Sequence, residues 1–192
     1  KELTPVVEAI SNGNKDPLST LSEDCSQELK THAQRLVNSA RQQRELPAPA
    51  SIKELQKEVI LTDCQFESFV VGYGTPLFDR SPSQEMLLSS GLAHYTSGVL
   101  AHAKSHAVYN LGGKWTKIDG FCGLLNKSVG SVSFKILADG KQIFESPVIS
   151  EPKTQAINLD LTGVNTLELI TNDGGDGIRS DWSAWLDMKL TR

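Results

Sequence analysis

From Glu58 onward, apolar side chains recur at every second position in short runs, and turn residues interrupt the runs at close intervals. Successive side chains of a strand point to opposite faces, so this pattern reads as half-buried strands rather than helices. His106–Leu111 sets Ala107, Tyr109 and Leu111 on one face. Val132, Phe134 and Ile136 share a face, with Ser131, Ser133 and Lys135 opposite. Asp139-Gly140 is a dipeptide favoured in tight two-residue hairpin turns, and Gln142–Ser146 reads as the returning strand. Ile157, Leu159 and Leu161 alternate with Asn158 and Asp160, and Thr162-Gly163 turns the chain into Thr166–Thr171. The last strand, from about Asp181 to Leu190, divides into Trp182, Ala184, Leu186, Met188 and Leu190 on an apolar face and Ser183, Trp185, Asp187 and Lys189 on the other. Many short strands without intervening helices predict a mainly-β fold, a β-sandwich or jelly roll.

The stretch before it has a different period. Thr4-Pro5 and Asp16-Pro17 are helix starts, and Gly13 is a stop between them. Leu21, Cys25, Leu29, His32, Leu36 and Ala40 recur at spacings of three or four, which predicts one apolar stripe on an amphipathic helix. Residues 1–45 therefore read as a small helical hairpin joined at NGNKD, with His32 a half-buried packing residue rather than a ligand. So small a hairpin has little core of its own and must pack on the following domain or on sequence upstream. Glu45–Ser51, ELPAPAS, reads as a linker, and Ser51 with Glu54 fits a capping box for a short helix to about Lys57. The expected division is thus 1–45 helical, 46–57 linker and short helix, and 58–192 sandwich. The opening KELTPVV has no initiator Met and no apolar h-region, so a fragment of a longer protein is expected.

The formal net charge of −4 argues against nucleic acid or an anionic membrane as the main partner, since both call for a basic face. No apolar run is long enough for a transmembrane helix, so no membrane insertion is expected. The cysteines Cys25, Cys64 and Cys122 are odd in number and form no CxxC. Cys64 and Cys122 fall in predicted strands of one domain, where they either pair or stay as buried thiols.

Two segments carry residue types that bind ligands. In Thr171–Trp185, Trp185 is a large aromatic on an otherwise polar face. It is read as a stacking platform for a sugar, with carboxylates beside it, or as a Trp covered by a loop or by the helices. Asn172–Gly177, NDGGDG, supplies carboxylates and free carbonyls of the kind calcium takes, though the spacing is not that of an EF-hand. In the second segment, Gly98–Leu111, His102 and His106 are four apart in a strand-and-turn context, which does not make a helical metal pair. GxSxG, HExxH and P-loop patterns are absent, and no segment points to a pair of convergent carboxylates. A binding module is expected rather than an enzyme.

The pattern resembles a known family. GVLAHAKSHAVYNL is similar to the G-x-x-x-H-A-x-S-x-x-x-Y-x-L signature of the NPCBM domain, the type that includes carbohydrate-binding module family 51. VILTDCQF resembles its opening strand, FCGLL its aromatic-x-Gly core strand and VSFKILADGKQIFES its central hairpin. LDLTGVNTLELITNDGGDGIRSDWSAWLDMKL resembles its closing run. The resemblance covers about 59–192 and not the helical part. It implies a jelly-roll sandwich of the galactose-binding type and non-catalytic binding of galactose-containing or related glycans. It also implies a structural calcium and a place as accessory domain of a larger bacterial protein that is secreted, at the cell surface or periplasmic, next to an upstream helical or catalytic domain. Carried over by position, it marks His102, Tyr109, Trp185 and Asp187 for the sugar, with Ser105 in the same motif, and Asp173, Asp176 and Asp181 for the metal. Where the family has Asp-His, this chain has Asp181-Trp182, and by alternation Trp182 faces the core. The competing expectation is a structural or protein-interaction domain with no sugar ligand, which burial of Trp185 under the hairpin would favour.

Overall fold

The computed structural model describes residues 5–6, 9, 17–42, 46–74, 76–79 and 88–192. Thirteen strands are found there: β1 Glu58–Ile60, β2 Ser68–Val70, β3 Leu77–Phe78, β4 Leu88–Ser90, β5 Ala93–Tyr95, β6 Gly98–Leu100, β7 Ser105–Asn110, β8 Lys117–Leu124, β9 Ser133–Ala138, β10 Lys141–Glu145, β11 Thr154–Asp160, β12 Thr166–Asn172 and β13 Ser183–Thr191. They form two antiparallel sheets face to face. One runs β11-β8-β13-β6-β3 with β1 on the far end of β13, the other β10-β9-β12-β7-β2. The β4–β5 hairpin stands apart from both. Between the sheets lies the main core, including Tyr109, Trp115, Phe134, Ile136, Leu169 and Trp185. The Asp139-Gly140 turn forms as expected: both residues have positive φ, 48° and 77°, as a tight hairpin turn requires, and Lys141 pairs with Ala138.

Strand β13 departs from simple alternation. Its register against β8 shifts between Leu186 and Lys189, and Asp187 there has a φ of 47°. A bulge inserts one residue and reverses the parity of every later residue in the strand. Met188 and Leu190 therefore join the main core together with Trp185, while Ala184 and Leu186 face the other way. That outer face is itself covered, by Leu88, Tyr95, Leu100 and Leu125, with Trp182 packed at the margin. The first half of β13 is thus buried on both faces.

The cysteines stay apart. Cys64 and Cys122 form no disulfide and stay as buried thiols, the second of the two expectations. Burial pushes the Cys122 thiol far above its ordinary range, which makes it a small apolar core residue.

The stretch expected as a linker is strapped to the sandwich. Pro49–Ser51 forms a 3-10 turn, and Ser51 Oγ donates to the Ala48 carbonyl at 2.8 Å in place of a capping box. Ile52 enters the main core. The Trp115 indole N–H donates to the Pro49 carbonyl at 3.2 Å. Arg192 lies over the Trp115 ring at 4.3 Å and donates to the carbonyls of Ile52, Lys53 and Gln56. Composition alone suggested a spacer because Pro and Ala carry no periodicity; the carbonyls that tie it down are invisible to pattern. Ile52→Ala is expected to cost about 2 kcal/mol, the low end for such truncations. Urea unfolding should show it as a lower midpoint at unchanged slope, and an unchanged midpoint would mean that the strap adds nothing.

The helix begins later than expected, as α1, Gln27–Gln42. Ser26 caps it, its Oγ accepting from the Leu29 amide at 3.2 Å, while Pro17–Thr20 forms only a 3-10 turn. Of the first expected helix, Pro5, Val6 and Ala9 are helical, and the NGNKD joint lies outside the described residues. Val6 and Ala33 are buried with Leu18, Leu21 and Leu29 packed on them, a small satellite core. His32 is not half-buried but buried, and its Nε2 donates to the Asp79 carbonyl at 3.0 Å, linking the helix to the end of β3.

Candidate functional site

Strand pairing gathers one set of loops at one end of the sandwich. The start of β13 pairs with the ends of β8 and β6, the start of β7 with the ends of β12 and β2, and the start of β9 with the end of β12. Residues 71–74, 101–104, 125–132 and 173–182 therefore share a rim, at the end away from His32 and Asp79.

Each loop is held to another by its backbone. Ser183 Oγ donates to the Ala101 carbonyl at 2.5 Å, and the Ala101 amide to the Ser183 carbonyl at 2.8 Å. Gly72 presses on 101–104: a Cβ there would meet the Ala103 carbonyl oxygen at 2.2 Å, so no side chain fits. The Gly72 amide donates to the His102 carbonyl at 3.3 Å. Ser128 Oγ and the Leu125 amide both donate to the Trp182 carbonyl, at 2.9 and 2.8 Å. Lys104 Nζ pairs with Asp173 at 3.3 Å across two loops.

These fixings bring three rings together. The His102 ring lies 4.7 Å from Trp182, edge-on at 81°, and 5.6 Å from Tyr73; Tyr73 lies 6.0 Å from Trp182. Tyr73 is 63% exposed, Trp182 half-buried and His102 only 4% exposed. His102 Nδ1 lies 2.8 Å from the Ala103 carbonyl oxygen. A carbonyl only accepts, so Nδ1 carries the proton, and in the neutral ring Nε2 is left as an acceptor. The cluster offers an exposed aromatic surface with an oriented acceptor beside it, and Lys104, two residues after His102, is paired with Asp173. That combination suits a molecule with one apolar face and several hydroxyls.

The other residues expected at a sugar site lie elsewhere. Trp185 is 1% exposed and packs edge-on to Phe134 of the opposite sheet at 5.0 Å. It is neither a stacking platform nor covered by the helices: it faces inward ahead of the bulge, which is why it shares the core with Met188 and Leu190 instead of opposing them. Tyr109 is fully buried in the same core, and burial drives its phenol far above its ordinary range, with Cys64 adding to the shift. Asp187 sits at the bulge, where Oδ1 accepts from the Thr96 and Ser97 amides at 3.1 and 2.8 Å and from both hydroxyls. It fastens the β5–β6 turn. Two residues that sequence reasoning did not assign to the site are Tyr73 and Trp182. Tyr73 stood in a Gly-Tyr-Gly turn, a position that displays an aromatic, and Trp182 was the departure from the family pattern. Alternation assigned it to the core, whereas it faces the margin of the rim.

The acidic loop divides too. Asp173 is held by Lys104, and Asp176 is exposed in a turn in which its amide donates to the Asp173 carbonyl at 3.3 Å. Asp181 is 0% exposed, and neither carboxylate oxygen has a hydrogen-bond partner among the described residues. Burial, then the charges of Asp176 and Asp173, push its pKa up to about 6; the Ser131 amide opposes the shift but lies outside hydrogen-bonding geometry. Gly130 makes room for it, since a Cβ there would meet Asp181 Oδ1 at 2.0 Å and the Arg179 carbonyl oxygen at 2.7 Å. Among the described residues, no three His, Cys, Asp or Glu side chains converge as a metal cage. The orphaned Asp181 carboxylate nonetheless fits a cation that takes its remaining ligands from backbone carbonyls. A separate concavity of about 790 Å³ lies at the helix, with Leu18, Leu21, Lys30 and Asp63 in its wall.

A family model described as NPCBM/NEW2 domain matches residues 57–191. Among solved structures, the CBM51 of a Clostridium perfringens GH95 protein in complex with methyl-galactose is 29% identical, with a TM-score of 0.63, over 70% of this chain and 99% of that one. A structure of the M60 catalytic domain of Clostridium perfringens ZmpB with its two CBM51 domains is 28% identical, with a TM-score of 0.62, over 70% of this chain and 15% of that one. A protein of Renibacterium salmoninarum, provisionally named endo-alpha-N-acetylgalactosaminidase, is 29% identical over 106 residues. The match takes in 54% of this chain and spans 7% of that protein's length.

Proposed function

Since the chain belongs to the NPCBM/NEW2 domain family, we propose that its sandwich is a non-catalytic carbohydrate-binding module for galactose-containing or related glycans. The observation that carries the reading is the Tyr73–His102–Trp182 cluster, set on a fold that matches nearly the whole of a module bound to methyl-galactose. A pyranose packs its C–H face on an indole or phenol while hydroxyls bond to polar groups at the edge. Here Tyr73 and Trp182 supply the apolar surface, and His102 Nε2 accepts from a sugar hydroxyl. The acidic groups fit binding better than hydrolysis. Asp173 and Asp176 sit three apart in one turn, whereas a general acid–base pair flanks its bond from two sides.

Asp181 would hold a structural calcium in this reading, with backbone carbonyls as its other ligands. A bound ion would supply the positive charge that the buried carboxylate lacks. The module serves a larger bacterial protein, secreted or at the cell surface, in which a neighbouring domain does the chemistry. The relative joined to an M60 catalytic domain and the small share of the curated relative that is matched support this placement.

A glycan array probed with the full chain, with calcium and then with a chelator, is the test. A galactosyl or related hit is expected. Titrating it against Trp182→Ala and Tyr73→Ala should give at least about tenfold weaker binding in each, the size of an anchor residue. A blank array with folded protein, or a hit that both variants bind as tightly, would count against the reading.

A further inference from the structure

Besides the Asp181 carboxylate, three buried polar atoms near the rim have no partner among the described residues: Ser105 Oγ, Thr171 Oγ1 and Trp185 Nε1. Ser105, part of the family-like motif, plays no part at the sugar site described above. The strand register sets the two hydroxyl-bearing residues side by side. Ser105 pairs directly with Thr171 across β7 and β12, and Thr171 pairs directly with Phe134 across β12 and β9. All three side chains are buried on the inward face of their sheet, and they form one row across it. Trp185 comes from the opposite sheet and packs on Phe134, which sets its indole over the same row. The two hydroxyl-bearing residues thus lie on one sheet and the indole on the sheet that faces it. The remaining orphan of this core, Tyr109 Oη, lies further along β7, where Tyr109 pairs with Leu167 and its phenol is next to Cys64.

We infer that Ser105, Thr171 and Trp185 form a small polar chamber between the sheets that binds ordered water. A water molecule accepts from the indole N–H and exchanges bonds with the two hydroxyls, each of which both donates and accepts. Buried waters hold such positions because each removes the desolvation cost of several otherwise unpaired groups, and two to four polar partners are what one needs. The chamber explains a serine, a threonine and an indole N–H at positions where a strand core ordinarily takes purely apolar groups. It is independent of any sugar ligand.

Thr171→Val and Ser105→Ala in the full chain test it, since each removes a hydroxyl while changing the shape little. With water bound, each variant takes a partner from it, and the melting temperature should fall by about 2–4 °C. With a dry chamber, each variant removes an unpaired hydroxyl, and the melting temperature should rise. A high-resolution crystal structure should show water density within hydrogen-bonding distance of at least two of the three atoms. Density showing the hydroxyls bonded to each other or to the indole with no water between them, or a rise in melting temperature, overturns the inference.

Discussion

Trp185→Ala is expected to remove about 3–5 kcal/mol of folding stability, the range for emptying a large aromatic site in a core. The indole is 1% exposed and rests on Phe134, so its loss leaves a cavity between the sheets where Met188 and Leu190 also pack. Trp182→Ala should behave in the opposite way, with a modest loss of stability and a large loss of glycan affinity. Urea unfolding and ligand titration of both variants separate the two roles. If Trp185→Ala kept wild-type stability and lost only binding, the parity reversal in β13 would be wrong and the sugar platform would lie on Trp185.

The second large effect concerns Asp181 in protein stripped of divalent cations. Its carboxyl titrates at about 6 in the fold against an ordinary 3.8. The folded state therefore takes up a proton in that window while the unfolded chain does not. Stability contributed by this group is lowest above pH 6, rises as pH falls through 6, and levels off below about 4. The gain is on the order of 3 kcal/mol. Glu145, Glu151 and Asp160 are shifted down at exposed positions and act in the reverse sense only at lower pH. Asp181→Asn should raise the neutral-pH melting temperature in chelator, flatten the profile between pH 4 and 7, and lose the stabilisation that calcium gives the wild type. Calorimetry across that pH range, with and without calcium, reads all three. Matching profiles for wild type and variant would remove Asp181 from both roles.

Strands were legible where one face is wet. In β9 and β12, Phe134, Ile136, Leu167 and Leu169 point inward and their neighbours do not, so period two appears directly in the residue types. The family-like motifs were legible because they combine residue types with spacing. They marked His102 at the rim, but also Tyr109 and Trp185, which the fold places in the core, and Asp187, which it places at a turn. A motif records which residues occur together, and it does not separate those that touch a ligand from those that build the wall behind it.

The amino-acid sequence by itself determined the two sheets, the Asp139-Gly140 hairpin, the family and the segments that meet at the rim. Those depend on side-chain alternation, turn chemistry and residue identity, all local in the chain. Only the tertiary structure decided that Trp182 rather than Trp185 joins the rim, that Asp181 is buried without a hydrogen-bond partner among the described residues, and that residues 49–56 are tied to the sandwich. A bulge resets which face every later side chain takes, and the covering of a second face comes from a distant hairpin. Burial and pairing are properties of contacts between residues far apart in sequence, so they exist only once the sheets have closed.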